Sequence, residues 1–97
     1  MTTDEMIQEL FSKDWQLLHE ANGPRIKAHK VIIEGDLIRR YACIGEDEAE
    51  VAKIALHWER TNFRDVELIS EGGPCPTVAE LRQKHTWVET LLSGDVD

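Results

Sequence analysis

His57-Trp58-Glu59 sets an imidazole two residues from a carboxylate, and such a pair can take up and return a proton near neutral pH. On a helix, however, successive residues point about 100° apart, so His57 and Glu59 do not face each other. The plainer reading buries Trp58 and leaves its two neighbours in solvent. His85 falls on an apolar helical stripe, where a ligand or a buried base is one reading and a hydrogen-bonded residue at the core margin the other. Cys75 lies between Pro74 and Pro76, just before an expected helix start that would favour its thiolate. No histidine or base adjoins it in sequence, so a structural loop thiol is the simpler account. His19 and His29 have no helpful neighbours.

Metal and phosphate chemistry find less support. The four histidines and two cysteines show neither Cys-x-x-Cys nor His-x-x-x-His spacing, so zinc ligands would have to be gathered by the fold alone. Gly72-Gly73-Pro74 lacks the lysine and glycine spacing of a phosphate loop, and Pro74 and Pro76 remove two amide donors. These residues give no catalytic, cofactor or metal site, and the expectation is a protein that is not an enzyme. The alternative is a small enzyme or ligand-binding subunit with a site at a homodimer interface, where His57, Glu59, Cys75 and His85 would be tested first.

Charge is the more informative signal. The formal net charge is −8, yet residues 1–23 carry −4, residues 24–44 carry +3 and residues 45–97 carry −7. Two candidate partner-binding surfaces follow. One is a basic hairpin bearing Arg25, Lys27, Lys30, Arg39 and Arg40, suited to an acidic or phosphate-bearing partner. Its plain reading is internal pairing with acids, or protection of an edge strand. The other is an acidic surface of Glu46, Asp47, Glu48, Glu50, Asp65 and Glu67. Such carboxylates can imitate a phosphate backbone and occupy the groove of a nucleic-acid-binding protein. Its plain reading is a solvated face whose first four acids complement a helix N-terminus. Acidic overall charge argues against direct contact with nucleic acid.

The elements that must position these groups belong to one domain spanning residues 1–97, because a second would be too small to form a core. With 41% apolar and 31% charged residues the chain is globular and not disordered. No apolar run is long enough for a transmembrane helix or a signal peptide, and two cysteines are too few for a disulfide scaffold. A cytoplasmic protein with free thiols is expected.

The first helix is expected from Thr2, capped by its hydroxyl with Glu5 three residues on. Its stripe of Met6, Ile7, Leu10, Phe11, Leu17 and Leu18 would carry it to the stop at Asn22-Gly23-Pro24. Strands over about Ile26–Glu34 and Leu37–Ile44 flank Gly35-Asp36, a two-residue turn with glycine first. That register sets Ile33 opposite Ile38 and Ala28 opposite Cys43. A second helix is expected over about Asp47–Asn62, burying Val51, Ile54, Ala55 and Trp58. A third strand is expected over Arg64–Ser70, beside the first strand in a 2-1-3 order. After the irregular stretch Ser70–Pro76, a third helix starts at Thr77-Val78-Ala79-Glu80 and runs to Leu92 through Leu81, His85 and Val88.

The fold class is thus α+β in the order α-β-β-α-β-α, a three-stranded sheet with helices packed on one face. The function expected is a non-enzymatic protein-binding module that inhibits or regulates another protein. A basic, nucleic-acid-binding partner suits the acidic surface, and a phage or plasmid accessory protein fits the size and charge. No membrane contact is expected, and a homodimer stays open.

Overall fold

The computed structural model of the protein describes residues 1–69 and 73–94. Helix α1 (Thr3–Ser12) starts as its capping box requires: the Thr2 hydroxyl accepts from the Glu5 amide, and the Glu5 carboxylate accepts from the Thr2 amide. The helix buries Met6, Ile7 and Leu10 and then stops, well short of Leu17. Asp14 adopts a left-handed φ of 67°. The Asp14 amide donates to Phe11 O and the Trp15 amide to Leu10 O, the two bonds of a Schellman stop. Aspartate tolerates this conformation better than most residues, so it fills a place usually held by glycine.

The chain therefore enters the sheet earlier than the helical stripe implies. Strands β1 (Gln16–His19), β2 (Ile26–Glu34) and β3 (Leu37–Gly45) form an antiparallel meander in the order β1-β2-β3. Ala28 pairs with Cys43 and Ile33 with Ile38, the register that a two-residue turn dictates. Gly35 has φ 60°, whereas Asp36 is not left-handed, which matches a turn needing glycine only at its first position.

Helix α2 (Glu48–Arg60) is capped by the Asp47 carboxylate, which accepts from the Ala49 amide at 2.7 Å. It ends in a second Schellman stop: Asn62 (φ 57°) donates to Glu59 O and the Phe63 amide to Trp58 O. The expected third helix is two helices, α3 (Val78–Lys84) and α4 (Thr86–Ser93), parted by an extended His85. The run His85-Thr86-Trp87-Val88 contains only modest helix formers, which makes this the weak point of the stripe. The break still lets Val78, Leu81 and Val88 all reach the core.

Three strands with helices on one side are observed, but in the order α-β-β-β-α-α-α. The third strand comes from Gln16–His19, and it takes the place beside β2 that had been assigned to residues 64–70. Among the described residues, 64–69 form no strand. The Ile69 amide donates to Arg40 O on the far side of β3, and Ser70 lies outside the described residues. The stretch expected to be irregular is described only from Gly73, and its end joins the sheet. Ile44 donates to Pro76 O and makes a parallel bridge with Thr77.

Helix α2 packs on β2 and β3, α3 packs on β3, and α1 and α4 pack against α2. Between these layers lie Trp58, Leu10, Ile54, Leu56, Leu81, Val51, Val88 and Cys43, all almost wholly enclosed. At Gly45 the layers approach closely. A Cβ there would stand 2.8 Å from Val51 Cγ1 and 3.0 Å from Val78 Cγ2, so only glycine lets α2 and α3 meet at the end of β3. No helix among the described residues is long and apolar enough to cross a membrane.

Candidate protein-binding surface

Alternation along the strands gives the sheet two unlike faces. Ile26, Ala28, Tyr41 and Cys43 point to the helices and are buried. The opposite face carries Leu18, Lys27, His29, Val31, Ile33, Ile38 and Arg40, and no helix packs on it. Leu18 is 50% exposed, Val31 38%, Ile33 70% and Ile38 59%. Those four account for half of the large apolar side chains exposed among the described residues. No carboxylate belongs to this face of the three strands.

The five bases of the hairpin do not act together. Arg25 pairs with Glu20 at 3.3 Å. Lys30 points to the helices, where its Nζ donates to Glu59 Oε1 at 2.5 Å and lies 5.4 Å from the centre of the Phe63 ring. The same carboxylate oxygen accepts from Trp15 Nε1 at 2.9 Å, and the Lys30 and Glu59 side chains are only 13% and 14% exposed. Arg39 shares that side of the sheet, in a cleft of about 350 Å³ floored by Tyr41 and Phe63, whose rings stack at 4.2 Å. Lys27 and Arg40 alone reach the open face.

Between them sits His29, whose pKa is lowered by partial burial and then by the Lys27 and Arg40 charges. A lowered folded-state pKa means that the unfolded chain binds this proton more readily. Stability is then complete above the ordinary histidine value of 6.5 and declines as the pH falls below it. Urea unfolding at pH 7.5 and 5.5 should show a larger acid-induced loss for the native sequence than for His29→Gln.

The acidic set divides into two groups, separated by α2, which at 13 residues is roughly 20 Å long. Glu46, Asp47, Glu48 and Glu50 gather at its start. Asp47 caps the helix, Glu48 approaches His19 at 3.6 Å, and Glu50 approaches Arg82 at 3.9 Å while accepting from the Glu46 amide. Glu46 and Glu50 line a cleft of about 550 Å³ that also contains Arg25 and Arg82, so both signs of charge meet there. Beyond the helix end, Asp65 lies 3.3 Å from His57, and Glu67 lies 3.4 Å from Lys84 and 3.9 Å from His85.

The residues weighed for acid–base or thiol chemistry are only partly assembled. His57 stacks on Trp87 at 4.2 Å, and His85 lies 5.7 Å from the same ring. Glu59 is engaged elsewhere, with Lys30 and Trp15. None of these groups lines either cleft described above. Among the described residues no group of three or more histidine, cysteine or acidic side chains is placed to hold a metal ion. Both cysteines are free. Burial drives the Cys43 thiol far above its ordinary pKa, and Cys75 is also raised by burial, against a lowering influence from Lys27. Titration with a thiol reagent at pH 8 should therefore modify Cys75 slowly and Cys43 only after denaturant is added.

Sequence reasoning selected this hairpin for its bases and passed over its apolar side chains. The missing signal was the weak alternation of Val31-Ile32-Ile33 and Leu37-Ile38, which leaves apolar residues on both faces of the arm. Compared with known proteins, the chain matches no family model, no curated protein and no solved structure.

Proposed function

We propose that this chain is a non-enzymatic protein-binding module whose contact surface is the helix-free face of its sheet. The observation that carries this reading is the grouping of Leu18, Val31, Ile33 and Ile38 with Lys27, His29 and Arg40 on a face without a carboxylate. Exposed apolar side chains rimmed by charge of one sign gain by being covered, and they favour a partner of the opposite sign. A regulator or inhibitor of another protein, acting in the cytoplasm where its two thiols stay reduced, is the role proposed. A phage or plasmid accessory protein remains the setting that its size and charge suit.

The acidic surface is the weaker basis for such a role. Asp47 is used as a cap, and Glu48, Glu50, Asp65 and Glu67 each have a cationic group or a histidine within 4 Å. Glu50 and Glu67, paired with Arg82 and Lys84, project little field towards a basic groove, and the length of α2 separates the two acidic groups.

A photo-crosslinking residue placed at Leu18 tests the reading in lysate of the source cells. One defined adduct is expected with the otherwise native chain, and its loss is expected when Ile33→Ser and Ile38→Ser are added. Adducts indifferent to that double substitution would sink the proposal. Circular dichroism checks that both proteins are folded, and both replaced side chains are already exposed.

A further inference from the structure

Beyond its face, the sheet offers an edge. Ile44 donates its amide to Pro76 and Arg40 offers its carbonyl to Ile69, so these β3 residues direct their backbone groups away from β2. In an antiparallel pair, their partners Lys27 and Val31 direct theirs to the other side, towards β1. The Glu20 amide bonded to Arg25 O, on that same side, agrees. Strand β1 uses this edge as far as Gln16 opposite His29 and no further. Val31 and Ile33 thus carry amides and carbonyls along an edge that no strand borders among the described residues. The usual protections are missing there. The stretch contains no proline, its pairing with β3 runs without a bulge, and the one lysine in it, Lys30, is turned inward to Glu59.

We infer that this edge accepts an extended segment of a partner protein, with apolar and acidic residues two positions apart, which adds as a strand beside Val31–Ile33. The inference rests on the protein-binding reading above and names the chemistry of the partner. Apolar side chains of the added strand lie next to Val31 and Ile33 on the open face. A carboxylate two positions from such an apolar residue shares that face, within reach of Arg40, the cross-strand neighbour of Val31, and diagonal to His29.

A second copy of this chain fits less well in either arrangement. Face to face, two copies bring Lys27, His29 and Arg40 of each together with no carboxylate between them. Edge to edge, pairing Val31 with Ile33 of the other copy sets Gly35 of that copy opposite His29. Gln16 already holds that place.

The test uses two synthetic peptides, a Glu-Val peptide with the repeat Glu-Ser-Val-Ser and a Lys-Val peptide with the repeat Lys-Ser-Val-Ser, and amide hydrogen exchange is the readout. Saturating Glu-Val peptide should slow exchange at Val31 and Ile33 by about tenfold or more, and the Lys-Val peptide should not. Val31→Pro removes a donor that the β2–β3 ladder does not use, so it should abolish peptide binding and leave the circular dichroism unchanged. No added protection from the Glu-Val peptide, or equal protection from both peptides, overturns the inference. So does protection that rises with protein concentration alone, which would reveal a second copy. In the lysate experiment, an adduct lost with the serine double variant but kept with Val31→Pro would refute strand addition and spare the face. An adduct kept by both variants would remove the underlying reading as well.

Discussion

Glu59→Ala should lower the free energy of unfolding by about 3–5 kcal/mol, a large part of what a domain of this size possesses. The reason is the company Glu59 keeps. One carboxylate oxygen accepts from the Lys30 ammonium and from the Trp15 indole, and Trp15 is itself buried. Removing the carboxylate leaves a mostly enclosed cation and a buried N–H without acceptors, while the Phe63 ring offers the ammonium only a weak substitute. The pair is not thereby a net source of stability, since enclosing both charges has its own desolvation cost. Lys30→Leu combined with Glu59→Leu should therefore be clearly more stable than Glu59→Ala alone. Urea denaturation of the two proteins decides the matter, and a double variant no better than the single one would contradict this account.

Trp58→Ala is the second large effect, about 3–5 kcal/mol from lost burial and the cavity left behind. Trp58 is the largest fully enclosed side chain in the core, 6.3 Å from the Trp15 ring, and its indole N–H finds no acceptor among the described residues. That last detail separates two substitutions. Trp58→Phe keeps most of the apolar volume and removes the unpartnered donor, so it should cost less than half as much as alanine. Unfolding followed by circular dichroism measures both, and equal losses would contradict this account.

Both effects depend on positions that the sequence discloses unequally. Trp58 stands on a stripe with Val51, Ile54 and Ala55, so its burial follows from helical spacing alone. Nothing local announces that Lys30 will turn inward, because its partner lies 29 residues away and the alternation around Val31-Ile32-Ile33 does not name a face. Local chemistry was readable where a residue type carries one meaning. Thr2 and Thr77 cap helices, Asp47 does the same, and Gly35 fixes the hairpin register. It misled where two patterns overlap: Leu17 and Leu18 continue a helical stripe and also suit a strand, and the stop between them and Leu10 depends on an aspartate in place of glycine. The candidate surface was half legible for the same reason. Lys27 and Arg40 were in view as charges, but the apolar residues between them become a surface only when one face is left uncovered.

The two bonds that fasten the chain beyond α2 to β3, Ile69 to Arg40 and Ile44 to Pro76, also divide the molecule by cooperativity. The meander pairs neighbours in sequence and can assemble from local encounters, whereas these bonds close loops of about thirty residues and come late in folding. Isolated bonds of this kind open at lower cost than a strand ladder, so Ile69 and Pro76 should lose their hold on β3 before the hairpin unpairs. Loss of both bonds would turn the other side of β3 into a second exposed edge, so the hold of Ile69 and Pro76 on β3 decides whether that side is open to pairing.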